Sequence, residues 1–359
     1  MASLISIGLS GLSASQTALA TTGNNIANVD TAGYSRQSVV QKSASAEFIG
    51  VGYVGNGTTV ADVRRIYSEY LNTQLRTSTG LDAEAQTYLT QINQTDALLA
   101  DSTTGISSVL SSFFEALQTA AENPTDASAR ALLLTNASGL AERFSSVYSQ
   151  LADQNTYINS QLSSMAEQVN QLASSIANYN QAIVQASASG ATPNDLLDAR
   201  DQALVDLSEL IGVTVVMEGN NANVFIGSGQ PLVMGNTAST LTAEPSTTDP
   251  TRLNLMLTSG YSSVDVTSVV SGGSISGLVR YREEVLDPTL NELGRLALVI
   301  ADQVNSQLGQ GIDLNGDFGT SLFSDINSAL AASQRSLAQA GNGAGSRSEE
   351  RRVGKECRS

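Results

Sequence analysis

The sequence predicts a mainly α protein with a β-rich subdomain. The expected form is an elongated multi-helix bundle with heptad packing, led by an N-terminal helix and a β-hairpin. Three observations carry this. Apolar residues recur at alternating steps of four and three from Phe144 to Ile183. A thinner heptad stripe marks the N-terminus. Between helical stretches, the chain from Val213 breaks into short apolar runs separated by Gly, Asn and Pro.

The N-terminal stripe is Ile5, Leu12, Leu19 and Ile26, seven residues apart and therefore on one narrow face of a helix over residues 4–28. Its intervening positions are mostly Gly, Ala, Ser and Thr, which bury little. Such a stripe cannot form a core alone and needs a partner. Gly8, Gly11 and Gly23 each weaken the isolated helix by about 1 kcal/mol relative to Ala, so it is expected to fray when free. Asp30 to Gly33 is rich in turn formers and ends it. Residues 35–66 change to paired apolar residues among Gly and Ser, with Gly55-Asn56-Gly57 as the expected hairpin turn.

Helical periodicity returns from Ile66 to about Leu99 and again from Ile106 to Ala121. The second run is expected to bury Ile106, Val109, Leu110, Phe113, Phe114 and Leu117. Asn123-Pro124 interrupts it, and Thr125 or Asp126 can cap the next helix. That helix, Ala127 to about Ser187, carries the heptad seam Phe144, Tyr148, Leu151, Asn155, Ile158, Leu162, Met165, Val169, Leu172, Ile176, Tyr179 and Ile183. Steps averaging 3.5 favour left-handed supercoiling. Asn155 is either a buried amide fixing register or an exposed polar break. Asn194 is expected to cap a short helix burying Leu196, Leu197, Leu204, Leu207 and Ile211, and Gly212 to stop it. The β-rich excursion follows, with turns at Gly219-Asn220-Asn221, Gly227-Ser228-Gly229 and Pro245 to Pro250. Asp287-Pro288 is read as the start of a returning helix.

The organisation is therefore 1–34 leading helix and turn, 35–66 hairpin connector, 67–212 long-helix bundle, and 213–280 β-rich excursion. After these come 281–310 returning helix, 311–346 linker or start of an outer domain, and 347–359 tail. The tail holds five basic and three acidic residues and the chain's single cysteine, Cys357. Its composition differs so sharply from the rest that a foreign or frame-shifted end is expected, the alternative being a basic interaction tail.

Composition excludes several function classes. The net charge is −16 and the pI about 4.3, which repels phosphate backbones and argues against nucleic acid. Only 14% of residues are charged, against about 25% in typical globular proteins. The surface therefore relies on Ser, Thr, Asn and Gln, which can pack against copies of itself without burying charge. Histidine is absent, which removes the usual neutral-pH base, Ser-His and Cys-His nucleophile pairs and ordinary zinc sites. No disulfide can form within the chain. No cleaved secretory signal and no run of about twenty apolar residues stands out, so membrane insertion is not expected.

The segment Asn24-Asn25-Ile26-Ala27-Asn28-Val29-Asp30-Thr31-Ala32-Gly33-Tyr34 resembles the N-terminal signature of bacterial flagellar axial proteins, the rod, hook and hook-associated family. Its characteristic positions are Asn24, Asn25, Ala27, Asn28, Thr31, Gly33 and Tyr34. The longer run from Gly8 to Gln37 is most similar to the hook-associated branch. So is the ordered set Asn194 to Asp201, Gly272 to Leu278, Leu286-Asp287-Pro288 and Asp313 to Gly316. The resemblance covers roughly residues 1–324. It implies a structural protein of the flagellum that stands between hook and filament and leaves the cell through the flagellar type III export apparatus. The implied partners are copies of itself, the hook protein and a second junction protein. In that family the leading helix pairs with a C-terminal helix of the same chain along the inner tube, long helices form the next shell, and β-rich domains project outward. The family also uses its C-terminal region to engage an export chaperone. No C-terminal heptad helix is evident here, since residues 329–340 are mostly Ala, Ser and Gln, and the chain therefore reads as truncated.

Sharper motifs yield to plainer readings. Asp313 to Gly319 resembles a calcium loop, but its sixth residue is Phe318 and its twelfth Ser324, where an EF-hand needs Gly and Glu. An Asx-rich turn is expected. Gly227-Ser228-Gly229-Gln230-Pro231 lacks the third glycine and the helix of a dinucleotide fingerprint. Asp195, Asp198 and Asp201 near Arg200 read as surface ion pairs and capping groups. Asn24, Asn25 and Asn28 are expected to bond local backbone. Tyr34 either anchors the turn on a neighbour or is simply buried. No catalytic residue, cofactor or metal is expected. The alternatives to a junction protein are a rod or hook subunit, or a secreted enzyme carrying a flagellar export segment.

Overall fold

The structure is a computed structural model and describes residues 4–48, 50–100, 105–188, 190, 192–313 and 316–324. Cys357, the tail and the weak helical stretch at 329–340 lie outside the described residues.

Helix α1, Leu4–Ala27, leads into a β-hairpin connector. Strand β1, Gln37–Ser43, pairs antiparallel with β4, Thr58–Arg65, and the short strands β2, Glu47–Phe48, and β3, Tyr53–Val54, form its outer end. The reversal thus falls between Phe48 and Tyr53, ahead of Gly55-Asn56-Gly57. Gly57 has a different task. A Cβ there would collide with Ser10 Oγ, so the glycine lets β4 approach α1.

Helices α2, Glu69–Leu99, and α3, Ile106–Glu122, follow. Phe113 and Ala116 are buried on α3, but Phe114 is 49% exposed, because two adjacent helical residues lie about 100° apart and one stripe cannot hold both. Asp126 accepts a hydrogen bond from Ser128 N at 2.8 Å and caps helix α4, Ala127–Ser187.

The buried face of α4 departs from the heptad seam. Leu151, Ile158, Leu162, Val169, Ile176 and Ile183 are buried, while Phe144, Asn155, Met165, Leu172 and Tyr179 are half-buried. Tyr148 is exposed and its neighbour Val147 is buried instead; further on, Ala166, Ala173 and Asn180 replace their preceding seam residues. A straight α-helix drifts about 20° per heptad against a 3.5 repeat. This drift has the sense observed: the buried residue stands one place before its seam position at Val147 and one place after it at Asn180.

Helix α5, Asn194–Leu210, precedes two antiparallel meanders. Strands β5, Val213–Glu218, β6, Asn221–Ile226, β7, Gln230–Met234, and β8, Thr237–Ala238, form one sheet in chain order. Strands β9, Thr240–Pro245, β10, Leu253–Ser259, and β11, Ser262–Asp265, form the other. Helix α6 then begins at Gly273, well before Asp287. It runs to Tyr281 and continues through a π-helical turn, Arg282–Leu286, into α7, Asp287–Gly309. Ile275, Leu278, Val279 and Leu286 are buried along it at helical spacing. Pro288 lacks an N–H and its ring crowds the carbonyl of Glu284, so a regular turn is disfavoured there and the wider π turn accommodates it.

Contacts divide the chain into two compact units. The first comprises Met1–Glu84, Met165–Thr242 and Leu257–Ser276, and buries Leu204 and Leu207 of α5, Ile211 at its C-cap, and Val224, Ile226 and Val233 of the first sheet. The second comprises Ala85–Ser164, Ala243–Met256 and Gly277–Ser359. Its core packs Phe113, Ala137, Leu140 and Val304 with Val109, Leu110, Phe144 and Phe323.

Asparagine carboxamides join α4 to the β-excursion within each unit. In the first, Asn170 both donates to and accepts from the backbone of Leu241, at 2.7 Å each way. Asn180 is fully buried. It donates to Ala222 O and Gly235 O and accepts from Ala222 N and Arg200 Nη1. In the second, Asn159 donates to Thr251 O and accepts from Leu253 N, and Asn155 also donates to Thr251 O at 3.0 Å. Asn155 is thus a half-buried staple to the excursion, and the buried amide of α4 is Asn180. A carboxamide carries one donor and one acceptor face, like a peptide, and pairs with a strand edge without bringing in charge.

Candidate assembly surface

Helix α1 is turned inside out relative to an ordinary amphipathic helix. Ile5, Leu12, Leu19 and Ile26 are 72%, 55%, 74% and 70% exposed. Leu4, Leu9 and Val29 extend the exposed apolar surface. The opposite face, two residues on in each heptad, holds Ile7, Ala14, Thr21 and Asn28, of which Ala14 is buried and the others half-buried. This face of mostly small and polar groups packs on the β1–β4 hairpin. Ser10 Oγ accepts from Thr58 N at 3.2 Å and donates to Ile7 O at 2.8 Å. Small side chains allow the close approach, and the apolar stripe is left facing outward.

The signature residues form a hydrogen-bonded knot at the base of α1. Asn25 Oδ1 accepts from Tyr34 Oη and from Gln37 N, both at 2.8 Å, and Asn25 Nδ2 donates to Gln37 O at 2.9 Å. Asn28 Nδ2 donates to Asn24 O, and Thr31 Oγ1 donates to Asn28 Oδ1. Ala27 is exposed. Gly33 has φ +76°, and a Cβ there would meet Gln202 Cβ and Oε1 at 2.9 Å, so the turn is pressed against α5. Tyr34 is half-buried; burial, then the charges of Asp198 and Asp195, push its phenol above the ordinary value.

The knot continues into a charged cluster that sequence reasoning misread. Gln37 pairs across the hairpin with Arg65. Arg65 Nη1 reaches Asp198 Oδ1 at 2.7 Å and Asp201 Oδ2 at 2.8 Å, with side chains 8%, 9% and 13% exposed. Asp198 Oδ2 also accepts from Ser35 N at 3.1 Å. These are buried pairs to a distant arginine, not surface pairs around Arg200. Burial alone would lower the Arg65 value, but its bonds to Asp198 and Asp201 hold it above the ordinary one. Arg200 is itself buried and donates to Asn180 and Asn220 O, and desolvation lowers its value. Asn194 does not cap α5. Its Nδ2 donates to Val63 O at 2.6 Å, tying the start of α5 to β4. The partner identities had no local signal: Arg65 and Asp198 are 133 residues apart.

Near the far end of the described chain, Asp317 N donates to Asp313 Oδ1 at 2.9 Å and Ile312 bridges Phe318, so the Asp313 carboxylate bonds local backbone. Among the described residues no group of three or more His, Cys, Asp or Glu is placed to hold a metal ion. No described helix is long and apolar enough to cross a membrane.

Residues 92–323 match the helical domain of the flagellar hook-associated protein FlgK, and residues 5–34 match the flagella basal body rod protein family. The chain is 38% identical over 329 residues to flagellar hook-associated protein 1 of Salmonella typhimurium, covering 90% of this chain and 60% of the relative. It is 35% identical over 332 residues to the protein of that name in Escherichia coli, with the same two coverages. The chain therefore spans about 60% of the length of these relatives. The solved structure of the flagellar hook junction protein FlgK from Burkholderia pseudomallei superposes with a TM-score of 0.66 at 35% identity, covering 69% of this chain and 46% of that one. With the hook-associated helical domain matched across both units and the rod signature confined to α1 and its turn, the chain belongs to the flagellar hook-associated protein FlgK family.

Proposed function

We propose that this chain is a structural, non-enzymatic component of the bacterial flagellum that stands at the hook–filament junction and assembles by burying the α1 stripe against other subunits. The carrying observation is the outward exposure of Ile5, Leu12, Leu19 and Ile26 on a helix already seated on its own hairpin. Fully burying one such side chain is worth about 1.5–3 kcal/mol, so four together supply a substantial drive for association. Its partners in this reading are copies of itself, the hook protein and the second junction protein. It reaches them outside the cell through the flagellar export apparatus. The extent of the hook-associated match favours this over a rod or hook subunit, whose likeness is confined to the first residues.

The test is cosedimentation of the purified chain with isolated flagellar hooks. The unmodified chain should pellet with hooks. Leu12→Asp with Leu19→Asp should lose binding at least tenfold while helical content by circular dichroism is unchanged, since both side chains are already exposed. Equal binding by the double variant, or none by the unmodified chain, would overturn the reading.

A further inference from the structure

We propose that the signature residues form an orientation latch: they set the direction in which α1 presents its stripe, and they do so by bonding inward rather than by touching a partner subunit. This rests on the reading of α1 as the assembly helix. Asn25 commits three of its four hydrogen-bonding positions within the molecule. Both acceptor positions of its Oδ1 are filled by Tyr34 Oη and Gln37 N, and its Nδ2 is bonded to Gln37 O. The side chain thus pairs with Gln37 as a strand would, and clamps the last turn of α1 to the first residue of β1. From Gln37 the restraint passes across the hairpin to Arg65, and from Arg65 to Asp198 and Asp201 on α5. Asp198 closes the circuit by accepting from the N–H of Ser35, the residue that follows the signature. Higher on α1 the contact is mainly the packing of small groups around Ala14 on the hairpin, with Ser10 bonded to Thr58, and the latch adds several directional bonds at the helix base. Asn25 and Asp198 are therefore positioning residues.

Asn28 gives an internal contrast. It belongs to the same signature, yet among the described residues its side chain bonds only to Asn24 and Thr31, so it lies outside the circuit.

The experiment uses the full chain with Cys357→Ser and spin labels at Ser13→Cys on α1 and Ser174→Cys on α4, both exposed positions. Double electron–electron resonance should give a narrow distance distribution. Asn25→Ala and Asp198→Ala should each broaden it, Tyr34→Phe should broaden it less, and Asn28→Ala should leave it unchanged. Hydrogen exchange over residues 28–40 should rise about tenfold or more in the first two variants, and hook binding should fall although the stripe is intact. Unchanged circular dichroism and exchange in α4 show that the variants remain folded. A broad distribution in the unmodified chain, equal broadening by Asn28→Ala, or broadened variants that still bind hooks normally would each overturn the latch. That result is separable from the parent reading, which stands or falls on the Leu12 and Leu19 double variant.

Discussion

Gly33 shows how much can hang on one backbone position. Its positive φ and its distance to Gln202 both exclude a side chain. Gly33→Ala should cost about 1–2 kcal/mol or more from the left-handed conformation together with the clash. Gly23, with nothing within 4 Å of a Cβ, should instead gain about 0.5–1 kcal/mol when changed to Ala; thermal unfolding of the two variants checks the opposite signs. Removing the Arg65 charge as Arg65→Met leaves Asp201 and Asp198 buried without their cation and should cost about 3–5 kcal/mol, measured the same way. Tyr34 has a folded value raised above its unfolded one, so the native state holds the proton more tightly. Its stabilising contribution is intact below about pH 10 and fades as pH rises beyond. The difference in stability between the unmodified chain and Tyr34→Phe should shrink over that alkaline range. At this scale sequence reading was weakest. The heptad spacing exposed Leu12 and Leu19 to view at once, but Asp198 and Ser35 are 163 residues apart, and no periodicity pairs residues at that separation.

Elements were more legible, because periodicity and punctuation act locally. Proline and glycine marked the β5–β6, β6–β7 and β9–β10 turns, though those at Gly235 and Gly260 were not singled out, and the ends of α3, α4 and α5 fall close to where Asn123-Pro124, Gly190 and Gly212 place them. The errors have physical causes. Gly57 serves close packing on α1, so a glycine-rich triplet misplaced the hairpin reversal. Pro288 sits within a continuous helical run because a π turn absorbs it, so proline was a poor marker of a helix start. A strict heptad on paper became a drifting stripe, since nothing forces the long α4 to underwind. The carboxamide staples were invisible for the same reason as the ion pairs: their partners are strand edges far along the chain. Asn180, with four bonds and no exposure, should be the costly one. Asn180→Ala should destabilise by about 3 kcal/mol or more through unsatisfied buried partners, whereas Asn155→Ala, losing one bond, should stay within about 1 kcal/mol. Urea titrations of both variants test the contrast.

For the molecule as a whole, the chain combines a net charge of −16 with a leading helix that holds no charged residue from Leu4 to Ala27. Association through that helix should therefore respond little to salt and strengthen on warming, as apolar contacts do. Sedimentation of the unmodified chain at low and high ionic strength, and across temperature, checks this; a steep loss with salt would point to ion pairs instead. The outward-facing stripe also limits how the molecule can be handled before use. On the proposed reading, a protein that wears its oily side on the outside should resist stockpiling. Above some threshold copies should clump, unless that strip is kept cloaked until its destination is reached.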